Sequence, residues 1–299
     1  MDKRKIILDC DPGHDDAVAI TLAGINEKID LLGITVVAGN QTLEKTSVNA
    51  LNVCQCLGLD VPVYAGCGQP MIREKMVAAD IHGETGLDGP VFEPLKKKLE
   101  DQHAVLYMID TLMKSDGDIT VVTTGPMTNL GMAMRLEPAI IPKIQEIVLM
   151  GGAYTNGNVT PAAEFNIIAD ADAAYVAFTS GRPITMVGLD VTRKALCYPS
   201  IVERMGKIGN NEASKLFVDL MKHFCASQKA VFGWEGGPLH DPITIAYLID
   251  PSILTTKPMH AEIDIRSTQS YGRTNCDYFG YQKKEPNANV GIDIDVEKF

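Results

Sequence analysis

The chain has 299 residues, of which 45% are hydrophobic and 22% are charged, and its formal net charge is −11 at pH 7. This composition is typical of a globular protein that can bury a sizeable core. The acidic balance argues against a nucleic acid or an anionic membrane surface as the partner.

Short β-branched apolar runs alternate with longer helical patterns along most of the chain. Strands are predicted at residues 5–10, 31–38, 61–65, 119–124, 146–150 and 184–189. Helices are predicted at residues 15–24, 42–58, 104–115, 128–135 and 170–179. Residues 198–249 are predicted to be mainly helical, and strands return at 259–265 and 290–296.

This alternation predicts an α/β fold with a mostly parallel sheet and helices on both sides, because the strands are apolar on both faces. We find no linker and no internal repeat, so a single domain spanning residues 1–299 is expected. The glycine-rich stretches at 66–68, 82–89, 151–157 and 233–237 fall between elements and are predicted to be loops.

The N-terminal residues and the cysteines favour a cytoplasmic protein. The basic start is followed by an apolar run too short for a signal peptide, and no stretch reaches the roughly 20 apolar residues of a membrane-spanning helix. The seven cysteines are odd in number and irregularly spaced, which is typical of free thiols in a reducing compartment.

Four carboxylates follow the first predicted strand, in the run Asp9-Cys10-Asp11-Pro12-Gly13-His14-Asp15-Asp16. The Pro-Gly pair favours a tight turn, and the last two acids fall at a helix N-terminus, where the helix dipole favours negative charge. Four such charges repel one another unless a hard cation such as Ca²⁺ or Mg²⁺ is bound. The run therefore predicts a metal site, and a helix cap with solvated acids is the alternative.

Polar residues follow the later predicted strands as well. Asn40, Thr124 and Met150 stand at or just after the ends of three strands, where open parallel sheets bind their ligands. The chain turns after Thr124, so its carbonyl could point at a cation. Glu164 and Asn166 are two residues apart on a segment expected to be extended, so they should face the same way and suit two sugar hydroxyls. A structural loop is the other interpretation of this pair.

Two histidines lie in glycine-rich segments, His82 before Gly83 and His240 before Asp241. A histidine suits proton donation near neutral pH because its ordinary pKa is close to 6.5. Asp241 could add a further cation ligand. Taken alone, each of these residues is more often structural.

Together these segments resemble the inosine–uridine type nucleoside hydrolase family. The run from Asp9 to Ala17 has the family's D-x-D-P-G-x-D-D-A form, and the other segments match in order over essentially the whole chain. Residues 81–90, 236–241 and 271–274 are most similar to the bacterial pyrimidine-specific members.

The resemblance implies hydrolysis of the N-glycosidic bond of ribonucleosides, with uridine and cytidine favoured, by a Ca²⁺-bound water. It implies that Asp11, Asp16, Asp241 and the carbonyl of Thr124 hold Ca²⁺, with Asp11 as general base. It implies that His82 and His240 lie around the base, with His240 favoured as proton donor. It places the following residues against the substrate: Asp15, Asn40, Met150, Asn158, Glu164, Phe165, Asn166, Gln228, Phe232 and Asp241.

The family resemblance also implies a homo-oligomer, either a tetramer or a dimer, and a role in nucleoside catabolism or salvage. One position departs from the pyrimidine-specific pattern, in which a Gln near the base is followed four residues later by a Tyr. Here Gln228 is present but the later residue is Phe232, so a hydroxyl is missing near the leaving group. A purine-preferring or broad-specificity hydrolase therefore stays open.

Two other classes of function are weighed against the hydrolase. Phosphoryl transfer by an aspartyl nucleophile with Mg²⁺ would need a Lys and a Ser or Thr after the later strands. The residues there are instead Asn40, Gly125, Gly151 and Asp190. A non-catalytic, Ca²⁺-dependent sugar or nucleoside binder would keep the same cation ligands, and an assay of ribose release separates it from the enzyme.

Overall fold

The structure is a computed structural model that describes residues 3–299, with Ala79 and Asp80 described by their backbone alone. The strands are β1 (Arg4–Cys10), β2 (Ile29–Val36), β3 (Val63–Ala65), β4 (Ile119–Thr123), β5 (Ile144–Met150), β6 (Ile184–Val187), β7 (Leu196–Cys197), β8 (Gly237–Pro238), β9 (Leu254–Met259), β10 (Ala261–Ile263), β11 (Thr274–Cys276) and β12 (Ala288–Ile294).

The helices alternate with these strands over the first two thirds of the chain. They are α1 (His14–Ile25), α2 (Leu43–Cys56), α3 (Ala79–His82), α4 (Ala104–Lys114), α5 (Thr128–Leu136), α6 (Phe165–Ala169), α7 (Ala171–Phe178), α8 (Leu189–Thr192), α9 (Pro199–Ile208), α10 (Glu212–Phe232) and α11 (Pro242–Ile249). Short 3₁₀ helices cover Pro138–Lys143 and Pro251–Ile253.

Eight strands form one sheet in the order β3-β2-β1-β4-β5-β6-β12-β9. Every neighbouring pair is parallel except β12 and β9, which are antiparallel at one edge. The predicted α/β class with a mostly parallel sheet is therefore confirmed. The carboxyl ends of β2, β1, β4, β5 and β6 lie side by side, which brings together the polar residues that follow them.

Helices cover both faces of this sheet. On one side Ile6 and Leu8 of β1 pack with α1, α2, α10 and α11, and on the other side Ile7 packs with α4, α5 and α7. Successive side chains of a strand point to opposite faces, so a strand buried on both sides must be apolar throughout. No helix in the described part of the chain is both long and apolar enough to cross a bilayer.

Two predicted strands differ from the observed ones. The strand predicted at 184–189 ends at Val187, because Gly188 begins the short helix α8. The strand predicted at 259–265 is the three-residue β10, and the preceding edge strand β9 was not predicted. β9 carries Lys257 and Pro258 and does not alternate regularly between buried and exposed residues, which hides it from a pattern search.

Candidate active site

The turn between β1 and α1 places Asp11, Asp15 and Asp16 in the protein interior, where all three are buried. Gly13 precedes the helix, and its backbone N–H donates to the Asp16 carboxylate over 3.0 Å, so the third helical residue reaches back to cap its own helix. A Cβ at Gly13 would lie 2.6 Å from Nδ1 of His82. The turn therefore needs glycine because the site closes tightly around it.

Residues from the two neighbouring strand ends hold the Asp16 carboxylate in place. The Thr124 hydroxyl donates to Asp16 Oδ1 over 2.8 Å, and the Asn40 amide donates to Asp16 Oδ2 over 3.1 Å. The backbone N–H of Asn40 also donates to Asp11 Oδ2 over 2.6 Å. Asp11 Oδ1 is buried and has no hydrogen-bond partner among the described residues.

Asp241 completes a cluster that could hold a metal ion. One carboxylate oxygen from each of Asp15, Asp16 and Asp241 lies within 4.8 Å of the others, and all three residues are buried. The pKa of Asp241 is raised well above its usual range by burial and by the neighbouring carboxylates, and burial followed by Asp16 raises that of Asp15 to about 7. Burial and the Asp16 charge likewise raise the pKa of Asp11. Such a cluster favours a cation, which offsets the mutual repulsion.

Asp11 lies next to this trio rather than within it. The charges of Asp16 and Asp15 both raise the pKa of Asp11. A Cβ at Gly125 would lie 2.5 Å from Asp11 Oδ1. The carbonyl of Thr124 accepts a hydrogen bond from the Asn166 amide over 2.8 Å. The four expected cation ligands are therefore together at one sheet edge, and Asp15 joins them.

A cavity of about 580 Å³ opens above the carboxylates. All ten of the expected substrate-contacting residues line it. They are Asp15, Asn40, Met150, Asn158, Glu164, Phe165, Asn166, Gln228, Phe232 and Asp241, together with His82, Thr124 and His240.

The expectation that Glu164 and Asn166 lie on an extended segment is wrong. Phe165–Ala169 is a short helix, and Glu164 is its N-cap, accepting hydrogen bonds from the backbone N–H groups of Asn166 and Ile167. Its carboxylate also accepts from the backbone of Gly152 over 2.9 Å. Glutamate is not among the preferred N-cap residues, which are Ser, Thr, Asp and Asn, so no cap signal at Glu164 marked this helix in the sequence. Both side chains still reach the cavity wall.

Two histidines line the cavity, and both are neutral at pH 7. Burial, followed by the Arg193 charge, lowers the pKa of His240 to about 3. Burial, with His14 and His240 nearby, holds the pKa of His82 well below its usual range. The His240 Nδ1 atom lies 2.7 Å from the Thr192 hydroxyl. A neutral imidazole N–H can still donate a hydrogen bond to a departing base.

Several residues of the site were not predicted. His14 lies behind His82, with the two Nδ1 atoms 3.3 Å apart, and its Nε2 lies 2.8 Å from the carbonyl of Asp88. Trp234 packs against Phe232 with ring centroids 5.3 Å apart, and Arg193 lines the same cavity. The stretch 233–237 was predicted only to be a loop, and no sequence pattern distinguishes Arg193 from a solvated arginine.

Comparison with known proteins shows which family the chain resembles. The family model for "Inosine-uridine preferring nucleoside hydrolase" matches residues 6–299. The chain is 58% identical to the pyrimidine-specific ribonucleoside hydrolase RihB of Escherichia coli O1:K1 / APEC, over 100% of this chain and 95% of that protein.

Solved structures match as well. The purine-preferring ribonucleoside hydrolase from Gardnerella vaginalis superposes with a TM-score of 0.91 at 35% identity, over 98% of this chain and 95% of that one. A plant nucleoside hydrolase, the PpNRh1 enzyme, gives a TM-score of 0.90 at 30% identity, over 99% and 96% of the two chains.

Proposed function

This chain belongs to the inosine–uridine preferring nucleoside hydrolase family and is a ribonucleoside hydrolase, and we propose that it cleaves uridine and cytidine to ribose and free base with Ca²⁺ at the Asp15–Asp16–Asp241 cluster. The single observation that carries the proposal is this buried trio of carboxylates at the base of a cavity large enough for a nucleoside.

The residues present fit Ca²⁺. The cluster offers oxygen ligands alone, which suits a hard cation rather than zinc. Asp11 Oδ1 is buried without a hydrogen-bond partner among the described residues, as expected of a ligand atom reserved for an ion. Asp11, Asp16, Asp241 and the carbonyl of Thr124 would hold the ion, and Asp15 stands close enough to assist. When bound, the ion supplies a water of lowered pKa and anchors the ribose hydroxyls.

Asp11 is the general base in this proposal. Its carboxylate is buried beside the proposed ion site, where it could take a proton from a water held by the ion. The surrounding carboxylates favour the positive charge that builds on the ribose ring as the N-glycosidic bond breaks, as in other glycoside hydrolyses.

Ribose recognition falls to the polar residues that line the cavity. Asp15, Asn40 and Asn166 would contact the 2′- and 3′-hydroxyls, and Asn158 and Glu164 the 5′-hydroxyl, with Met150 and Phe165 packed against the sugar. A site built to bind a hydroxyl discriminates strongly against an analogue that lacks it. We expect 2′-deoxyuridine to be a very poor substrate.

The end of the cavity that would hold the nucleobase is formed by His82, His240, Gln228 and Phe232. Gln228 is buried, and its Oε1 has no partner in the part of the chain that the structure describes, so it is free to accept from a base N–H. The pyrimidine preference is supported by the name of the 58% identical relative. A purine preference is the second candidate, supported by the name of the Gardnerella structure and by the missing hydroxyl at Phe232.

Three further features complete the proposal. The family resemblance supports a homotetramer or homodimer and a role in nucleoside catabolism or salvage. All seven cysteines are free thiols, which supports a cytoplasmic location.

The test is release of ribose from uridine, cytidine, inosine and 2′-deoxyuridine, measured with Ca²⁺ and after chelation. Asp11→Asn should abolish release, whereas Asp293→Asn, a matched change of a carboxylate that is 64% exposed, should leave it intact. Release mainly from inosine would overturn the pyrimidine preference. Release that survives chelation would overturn the metal assignment.

A further inference from the structure

We propose that Arg193 stabilises the negative charge that builds on the nucleobase as it leaves, and so acts as the leaving-group residue of this enzyme. The inference rests on the proposed function, since it requires that a nucleoside occupies the cavity. It assigns a role at the base end to a residue that no sequence motif singles out.

Arg193 is held firmly at the cavity wall. It follows helix α8, and its backbone N–H donates to the carbonyl of Leu189 at the helix end. Its guanidinium donates to the backbone carbonyl of Gly157 over 2.8 Å and to that of Asn156 over 3.3 Å. These two contacts use two of its five N–H donors. The remaining donors and the full positive charge stay available to the cavity that it lines.

The position of Arg193 places this charge near His240, the histidine favoured as proton donor to the departing base. The preceding residue, Thr192, has its hydroxyl 2.7 Å from Nδ1 of His240. His240 and Arg193 are therefore anchored to the same short helix end, and both line the cavity. A base that contacts His240 therefore occupies the same cavity as the guanidinium.

The charge balance of the cavity makes this cation important. Among the described residues that line it, Arg193 is the only Lys or Arg, whereas Asp15, Glu164 and Asp241 are acidic. Acidic walls favour the positive ribose but oppose an anionic base. A fixed cation on the residue after Thr192, whose hydroxyl contacts His240, offsets this opposition. The need is greater here because position 232 is a phenylalanine, without a hydroxyl that could protonate the base.

The chemical step is balanced without any added reagent. The bond between C1′ and the ring nitrogen of the base breaks, and its electron pair remains on the base. The water oxygen bonds to C1′ after passing a proton to Asp11. The base anion, stabilised by Arg193, then takes a proton from solvent, and Asp11 returns its proton to solvent, so the sum is one nucleoside and one water giving ribose and free base.

The test is a series of ribosides whose leaving groups differ in basicity: uridine, 5-fluorouridine and 4-nitrophenyl β-D-ribofuranoside. Arg193→Gln should lower kcat on uridine by about 100-fold, the usual size for loss of one charge-stabilising donor. The loss should be smaller on 5-fluorouridine and about 3-fold or less on the nitrophenyl riboside, whose leaving anion is already stable. Arg193→Lys should fall between, because it keeps the charge and loses the planar geometry.

Two controls keep the outcome interpretable. Arg182→Gln changes an arginine that also donates to a backbone carbonyl, that of Pro142, at the opposite edge of the sheet, and it should leave all three rates unchanged. Retained cleavage of the nitrophenyl riboside shows that the variant is folded. Equal losses on all three substrates, or no loss on uridine, would overturn the proposal. If the wild-type enzyme releases ribose from none of them, it is the proposed function that fails.

Discussion

The side-chain amide of Asn166 donates a 2.8 Å hydrogen bond to the backbone carbonyl of Thr124. The same amide also donates to the carbonyl of Met150 over 3.1 Å. Asn166 therefore links the ends of two neighbouring strands, and it fixes the direction of the carbonyl that we propose as a Ca²⁺ ligand. Asn166 was expected only to contact the sugar, but its hydrogen bonds also hold two backbone carbonyls of the site in place.

Replacing Asn166 with alanine should destabilise both the fold and the cation site. Two buried carbonyls lose their partner, which costs roughly 1–3 kcal/mol of unfolding free energy. We expect a lower urea midpoint and weaker Ca²⁺ binding by calorimetry. Asn158→Ala is the matched control, because Asn158 is exposed and its side chain accepts from the backbone of Phe165 alone among the described contacts. Equal effects of the two variants would contradict this role.

Stability should fall as pH rises from about 4 to 7, in part because of Asp9. Burial raises its pKa from 3.8 to about 7, although Asn129 and Thr35 donate to its carboxylate. Between these pH values the folded state keeps a proton that the unfolded state releases, so the stabilisation is complete below pH 4 and is lost as pH rises through 7. Asp9→Asn should reduce the fall in unfolding free energy between pH 5 and pH 8 by on the order of 2 kcal/mol. Urea unfolding at the two pH values measures this difference. An unchanged slope would show that Asp9 is ionised in the folded protein.

The sequence predicts the sheet edge and the clustering of carboxylates beside it well, because these signals are local. Asp11, Asp15 and Asp16 belong to one turn, and the strands around them are uniformly apolar. The contact of Asp241 with this turn depends on tertiary packing. The family resemblance predicted this contact, whereas the hydrophobic periodicity of the sequence did not. Arg193 and His14 lie in ordinary segments, and their positions against the cavity follow only from how the helices pack.

Ca²⁺ binding should release protons and tighten as pH rises from 6 to 8. Burial and like charges raise the pKa values of Asp15 and Asp241, and burial raises that of Asp16, so the metal-free site retains protons that the ion must displace. Calorimetric titrations in two buffers of different ionisation enthalpy should give different apparent enthalpies. At a Ca²⁺ concentration of about 100 times Kd, the free energy of unfolding should be about 2.7 kcal/mol higher than without the ion. Identical enthalpies in the two buffers would mean that the site is already ionised.

Phe232→Tyr should raise kcat/KM for uridine by up to roughly tenfold, a small part of what a positioned proton donor can contribute. The side chain lines the cavity and is 48% exposed, so a hydroxyl fits without repacking. Phe279→Tyr, on a ring that is 73% exposed, is the matched control. If the ratio of uridine to inosine cleavage does not move, residue 232 does not take part in base recognition.

Glu164 should prove to be both a cap and a substrate contact. Glu164→Gln keeps an acceptor oxygen for the helix N–H groups, whereas Glu164→Ala removes it and should cost about 1 kcal/mol of stability. If the carboxylate also binds the 5′-hydroxyl, both variants should narrow the difference in kcat/KM between uridine and 5′-deoxyuridine. Loss of stability with no change in that ratio would leave Glu164 as a cap alone.

The carboxylates of the cluster come from opposite ends of the chain, Asp15 and Asp16 from the first turn and Asp241 from a late one. A nascent chain therefore has no complete ion site until six of the eight strands of the main sheet have been synthesised. Contacts this distant in sequence form late and slowly. Ca²⁺ should thus leave the folding rate almost unchanged and slow unfolding, so that the ion prolongs the lifetime of the finished enzyme without guiding its assembly.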